Sequence, residues 1–428
     1  MQAFALTLVF GCAVLASLTI KFWLATRQAR HVAQHRQAVP GPFAATIALN
    51  DHQRAADYTL AKGRVAVLHM AFSAAVLLGW TLLLGVDSLN GWLLRAVRPG
   101  WGDMAYQLAL LASFAVIGAL LELPFELYST FHVEQRFGFN RMTWKLYLLD
   151  SVKALAVGAV IGLPVAALML WIMGATGPLW WLWAWIAWMS LNLLILLLYP
   201  TVIAPLFNTF QPLADESLRQ RVQALMARCG FAASGLFVMD GSARSAHANA
   251  YFTGFGASKR VVLFDTLLNK LSASEVEAVL AHELGHFKHK HVIKRLVWMF
   301  ATSLAGFALL GWLSAQPWFY LGLGVRPSLD ASNNALAVLL FLLVVPVFSF
   351  FVSPVFARFS RKHEFEADAY ACAHANGSDL AAALLKLQKD NAATLTPDPL
   401  YVRFYYSHPP ASERLAALSR AQPVFQTA

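Results

Sequence analysis

Charge is what this sequence has least of. Asp, Glu, Lys and Arg make up 13% of its 428 residues, where soluble proteins carry about 25%. Apolar side chains take their place, at 58% of the chain, which excludes a disordered or fibrous chain and points to lipid as the main solvent. Cysteine is as scarce: Cys12, Cys229 and Cys372 lie far apart with no CxxC pair, so no disulfide framework is implied. No internal repeat or low-complexity linker interrupts the chain. The first 24 residues lack a basic leading stretch and a clear small-residue cleavage site. They are expected to stay as a first span and not to leave as a signal peptide.

The formal net charge is +10, yet no basic run is interleaved with stacking aromatics, which argues against nucleic acid as a partner. Lys and Arg collect instead in alternate loops, as they do on the cytoplasmic side of membrane proteins. Seven stretches are long and apolar enough to cross a bilayer, at about 3–24, 65–86, 104–127, 152–175, 179–200, 296–315 and 335–357, a span needing roughly 20 residues. The third is the weakest, because Glu122 and Glu126 fall at its end. The loop after the first span carries Arg27, Arg30, Arg36, Arg54, Lys62 and Arg64, and the loop after the third carries Arg136, Arg141 and Lys145. Loops two–three, four–five and six–seven hold only Arg95, Arg98 and Arg326. This alternation places the N-terminus outside and the C-terminus inside. The chain thus divides into a membrane region of five spans (1–200), a cytoplasmic part (201–295), two further spans (296–357) and a cytoplasmic C-terminal part (358–428). Within 201–295, residues 235–240 and 260–264 read as strands, 247–256 as a looser third, and 215–229 as a helix.

The chemistry lies in the polar parts. Residues 271–291 read LSASEVEAVLAHELGHFKHKH, and Ser272 followed by Glu275 is a capping box that starts a helix. His282 and His286, four apart, project from one face about 6 Å apart at Cβ and suit a shared metal. Glu283 stands where it would take a proton from a water polarised by that metal. His289 and His291 read as solvated or supporting groups. A catalytic zinc of this kind requires a third protein ligand. Residues 360–370, SRKHEFEADAY, offer Glu364 and Asp368 on one helix face; one carboxylate would ligate and the other would orient a ligand imidazole from behind. Glu366 faces away and reads as structural or solvated. In YSHPPASERL at 406–415, His408 and Arg414 are cationic or hydrogen-bonding groups suited to an oxyanion.

Taken together, HELGHFKHKH, SRKHEFEAD and SHPPASERL resemble the type I CAAX prenyl proteases, integral-membrane gluzincin-like metallopeptidases. FELYSTFHVEQRFGFNRMTWKLYLLD at 125–150, SAHANAYFTGFG at 245–256 and, more faintly, HQRAADYTLAKGR at 52–64 extend the likeness to nearly the whole chain. The resemblance implies a predominantly α fold, seven transmembrane helices enclosing a water-filled chamber, with a cytoplasmic zincin-like α+β catalytic domain containing a small sheet. It implies one Zn2+ per chain on His282, His286 and Glu364, with Glu283 as general base and Asp368 behind a ligand. It further implies His408 and Arg414 stabilising the tetrahedral intermediate, and Asn249 on an edge strand that receives the substrate backbone. Glu122, Glu126 and His69 would line the chamber, since ionisable groups inside membranes rarely face lipid. The partners implied are a peptide or protein substrate and the lipid bilayer. The substrate implied is a C-terminal peptide, prenylated or not, or a membrane protein; the Ala-, Leu- and Trp-rich composition favours a bacterial inner membrane over the endoplasmic reticulum, where an unlipidated peptide or damaged membrane protein would be the natural substrate. Two rivals stand beside this reading: a heat-shock-type quality-control protease, against which the FGFN block argues, and an inactive scaffold or transporter, which would have no use for Glu283.

Overall fold

The computed structural model describes residues 1–231, 235–253 and 260–421. Among the described residues, six helices are long and apolar enough to cross a membrane: Gln2–Gln34, Leu49–Trp80, Arg98–Glu134, Trp144–Ala175, Gly177–Phe207 and His291–Ser314. Asn334–Ser349 and Ser353–His374, bent by 66° across a short break, make a seventh candidate if taken as one span. The expected span at 335–357 thus falls on two helices and the break between them. Pro346 lies inside the first helix and Pro354 in the first turn of the second. A proline removes a helical donor and crowds the preceding turn, so the apolar crossing ends there and the polar segment beyond it turns away.

Two further boundaries differ from expectation. The second span ends at Trp80, not 86; a turn with Leu84 in the left-handed region (φ 66°) leads into a separate helix, Gly85–Ala96. The third runs past the expected end at 127. The helix continues through Glu122, Pro124 and Glu126 into a π-helical turn at Ser129–Glu134.

Ion pairs sort the loops onto two sides. Arg27 meets Asp398 at 2.9 Å, Lys389 meets Asp51 at 2.9 Å, and Arg244 meets Asp150 at 2.9 Å, so the basic loops gather beside the polar catalytic part. On the opposite side Arg326 pairs with Asp87 at 2.6 Å, and Asp103 accepts from the backbone N–H of Ser332 at 3.1 Å. The tight apolar packing of the bundle lies toward that far side, around Phe10, Tyr106, Leu110, Phe319, Leu323, Leu336 and Leu340. Elsewhere the spans are loosely joined. Even the best-buried span has only 17% of its apolar 18-residue stretch buried. His69 Nε2 and Glu122 Oε2 meet at 2.5 Å on the wall of a cavity of about 510 Å³ that Lys21, Trp80 and Phe114 also line. An adjoining cavity of about 440 Å³ is lined by Lys62, His69, Glu122 and Glu126. The three ionisable residues expected along a chamber thus line two open-mouthed cavities between the helices.

The catalytic part is built on a four-stranded sheet, β1 (Phe210–Pro212), β2 (Gly235–Met239), β3 (Ala250–Thr253) and β4 (Arg260–Phe264), in the order β1-β2-β4-β3. β2 and β4 run parallel and the other pairs antiparallel, leaving β3 on an edge. The looser strand expected at 247–256 shortens to Ala250–Thr253, and residues 254–256 lie outside the described residues. Helix Glu216–Arg228, capped by Asp215 on the backbone N–H of Leu218 at 3.0 Å, packs Val222 and Leu225 under the sheet with Val261, Leu263, Leu280 and Leu380.

Gly311 tests how the bundle is held. A Cβ there would lie 2.9 Å from the Cβ and indole atoms of Trp181 on the neighbouring helix, whereas one at Gly306 meets nothing closer than Phe341 at 3.9 Å. Gly311→Val should therefore lower the melting temperature in detergent by an amount matching about 1–3 kcal/mol of overpacking, while Gly306→Ala should leave it unchanged or slightly raised. Equal melting curves for the two variants would refute the close contact.

Candidate metal centre

The helix Ala273–Lys288 begins with the anticipated capping box: Ser272 Oγ accepts from Glu275 N–H at 3.3 Å, and Glu275 Oε2 accepts from Ser272 N–H at 2.7 Å. Glu275 also accepts from Lys386 Nζ at 2.7 Å, which ties the helix start to Gly377–Asp390. One face then carries His282 and His286, whose Nε2 atoms lie 3.3 Å apart. Ser353–His374 crosses this helix so closely that a Cβ at Gly285 would stand 2.9 Å from Ala367 Cα and 3.0 Å from its carbonyl oxygen. That contact brings Glu364 over the histidine pair, with Oε1 3.4 Å from His286 Nε2 and Oε2 3.5 Å from His282 Nε2.

These three side chains form a group whose ligating atoms lie within 4.8 Å of one another. The residues fit a metal. Glu364 Oε2 is buried with no hydrogen-bond partner, a costly state for a carboxylate oxygen unless a cation completes it. A tetrahedral metal about 2.0–2.1 Å from two imidazole nitrogens would hold them roughly 3.3 Å apart, the separation found. Two imidazoles and one carboxylate also leave a fourth position open, as catalytic sites do.

Behind the ligands, Asp368 Oδ1 accepts from His282 Nδ1–H at 2.8 Å. Arg414 grips the same carboxylate twice, Nε to Oδ2 at 2.8 Å and Nη2 to Oδ1 at 2.6 Å, and its Nη1 lies 3.6 Å from Glu364 Oε2. The guanidinium is buried. Its geometry is that of a clamp on Asp368 through Nε and Nη2, with Nη1 left on the side of Glu364. His408 stands differently: exposed, with Nε2 3.4 Å from Glu364 Oε1 and Nδ1 2.9 Å from Ser407 Oγ. Asn249 is apart from this cluster, exposed at the start of β3, where its Oδ1 accepts from Ala250 N–H at 2.9 Å. Two neighbours take supporting places. His291, expected to be solvated or supporting, is buried against His286, Nδ1 to Nδ1 at 2.9 Å, and Glu366, expected to be structural or solvated, lies 2.8 Å from His291 Nε2. The histidine-rich HFKHKH run was the available signal for the first, but a partner 75 residues away has no local one.

Burial lifts the proton affinity of Glu283; the Glu364 carboxylate adds to the lift, and His282 and His286 only partly oppose it. A carboxylate held above its ordinary range is suited to accept a proton at neutral pH. Burial also raises Glu364, but the His282 and His286 imidazoles outweigh it and hold that carboxyl well below the usual range. At His282 desolvation is outweighed by Asp368 and Glu364, which raise the imidazole to about 9. A metal must therefore displace a proton there, so its affinity falls as pH is lowered.

Two imidazoles and a carboxylate converging beside a half-buried glutamate, on a frame of membrane helices, define a membrane-embedded metallopeptidase. Residues 28–209 match "CAAX prenyl protease N-terminal, five membrane helices", and residues 212–422 match "Peptidase family M48". The chain belongs to peptidase family M48, among the CAAX prenyl protease 1 homologues. It is 33% identical over 423 residues to the CAAX prenyl protease 1 homolog of Oryza sativa, covering 96% of each chain. It is 34% identical over 383 residues to CAAX prenyl protease 1 of Saccharomyces cerevisiae, covering 85% of this chain and 84% of that one. The crystal structure of S. mikatae Ste24p superposes with a TM-score of 0.91 at 30% identity, over 96% of this chain and 99% of that chain.

The Gly285 contact is directly testable. Gly285→Val should force the two ligand-bearing helices apart, and a displacement of about 1 Å at a reacting centre can cost about 10²-fold in rate. Metal should also be stripped by a chelator that leaves the wild type loaded. Unaltered metal retention and turnover would mean that the helices are free to adjust.

Proposed function

We propose that the chain is a zinc endopeptidase whose metal is held by His282, His286 and Glu364. The observation that carries this reading is the buried Glu364 carboxylate facing the two Nε2 atoms, Oε2 toward His282 and Oε1 toward His286, with Oε2 lacking a hydrogen-bond partner. Bound zinc supplies a Lewis acid that polarises the scissile carbonyl and makes a nearby water more acidic. Glu283 takes the proton from that water as its oxygen adds to the carbonyl carbon, then returns the proton to the amine nitrogen as the C–N bond breaks. His408, exposed on the open side of the cluster, donates from Nε2 to the developing oxyanion. Arg414 and Asp368 hold His282 in the tautomer whose Nε2 lone pair faces the metal.

The substrate of this reading is the C-terminal stretch of a membrane-associated protein, laid antiparallel along the free edge of β3 beside Asn249. The relatives' name, CAAX prenyl protease 1, supports a substrate with a prenylated C-terminal sequence, and the largely apolar cavities of the bundle suit such a tail. The cytoplasmic side is proposed for the catalytic part, on the strength of the basic loops gathered around it.

Purified protein should contain about one zinc per chain and cleave a farnesylated CAAX peptide faster than its unmodified twin. Glu283→Gln should keep zinc and lose about 10²–10⁴ in rate, while His282→Ala/His286→Ala should lose the zinc itself. Wild-type turnover in the first variant, or stoichiometric zinc in the second, would sink this assignment.

Orientation has its own check. In a background freed of its three cysteines, Leu329→Cys, at an exposed position on the far side, should label on intact cells with an impermeant thiol reagent. Gln220→Cys, exposed on the catalytic part, should label only after the cells are opened. The reverse pattern would invert the proposed topology.

A further inference from the structure

We propose that His291 and Glu366 form a hydrogen-bonded relay that sets the tautomer of His286 and so presents its Nε2 lone pair to the metal. The inference rests on the zinc reading above and concerns a support for that site that Asp368 does not provide. Asp368 reaches His282 alone, while His286 Nδ1 meets only His291 Nδ1, at 2.9 Å. Two neutral imidazoles facing each other through Nδ1 require one N–H donor and one lone-pair acceptor, and that contact alone leaves the direction open. Glu366 closes it. Its Oε2 lies 2.8 Å from His291 Nε2, and an ionised carboxylate only accepts. His291 must therefore carry its proton on Nε2, its Nδ1 must accept, and His286 must donate from Nδ1.

Local structure holds the relay in place. The chain breaks between helices at Lys290, a non-glycine residue in the left-handed region (φ 56°), and the next helix begins at His291. A strained residue of this kind persists where the surroundings determine it, and here it turns His291 back against His286. His363 lies flat on the His291 ring, centroids 4.0 Å apart and planes at 14°, which fixes the ring plane in which both hydrogen bonds lie.

His291, His363 and Glu366 also offer ligating atoms within 4.8 Å of one another, so a second metal is the competing reading. Geometry and charge oppose it. Lone pairs of two parallel stacked rings run side by side and do not converge. Lys362 Nζ lies 3.7 Å from Glu366 Oε1, and Lys294 acts on both Glu366 and His363, leaving little field for a dication. A metal on His291 Nε2 would also force one of the paired imidazoles to lose its last N–H.

The test measures zinc affinity by chelator competition, zinc stoichiometry, and melting of the metal-free protein. His291→Phe keeps the ring stacking and removes the acceptor; its zinc affinity should fall about 10–100-fold with metal-free melting unchanged. His291→Asn, whose Oδ1 occupies the place of Nδ1, should recover most of that loss. Glu366→Gln should weaken zinc less than His291→Phe, and adding it to His291→Phe should cost nothing more, because Glu366 acts through His291. Wild-type zinc affinity in His291→Phe, no rescue by Asn, or additive losses in the double variant would overturn the relay. So would a second bound zinc that disappears in His363→Ala. A wild-type protein that binds no zinc at all would instead defeat the metal assignment on which the relay is built.

Discussion

The close crossing of two helices at Gly285 and Ala367 is the contact on which the site depends. His282 and Asp368 are separated by 86 residues, and the apolar helices His291–Ser314 and Asn334–Ser349 intervene between their two helices in sequence. Only where the side chain at position 285 is a hydrogen do the backbones approach closely enough for Glu364 to reach both imidazoles. A larger residue there would separate donors that need to share one ion, whatever the rest of the fold did.

That crossing concentrates buried charge, and the cost of burial is offset by a chain of pairings. Within the cluster of Glu364, Asp368, Arg414 and the two histidines, Glu364 Oε2 is buried without a hydrogen bond. Arg414 spends its planar fork on Asp368, a geometry that a lysine point charge could not reproduce. The histidines are served unequally: His282 leans on a carboxylate directly, and His286 on an imidazole backed by a carboxylate. A site with this much desolvated charge needs a rigid frame, and the capped helix, the sheet and helix Gly377–Asp390 supply it from one apolar core.

Much of the fold was legible because its signals are local. Apolar runs long enough to span a bilayer marked the membrane helices, basic loops marked one side, and Ser272 with Glu275 marked the start of the metal helix. Strand Arg260–Phe264 appeared where its β-branched run predicts. The misses have physical causes. Composition averages over Pro346 and Pro354, so it did not reveal the break between the two helices there. The three-residue β1 carries almost no pattern of its own; pairing with β2 makes it a strand.

The sequence by itself determined the solvent, the approximate crossings, the alternation of loops and the residue types of a metal site, because hydropathy, charge and the helical repeat act over a few neighbouring residues. It also placed Glu364 and Asp368 on one face of a helix. Tertiary structure alone decided that Arg414 is a buried clamp on Asp368, that Glu366 reaches His291, and that His291 rests on His286. Those outcomes depend on how two distant helices cross and on which donors are already engaged when they do. Hydrogen bonds are directional and each donor or acceptor has few places to offer, so the role of such a side chain is settled by its neighbours in space.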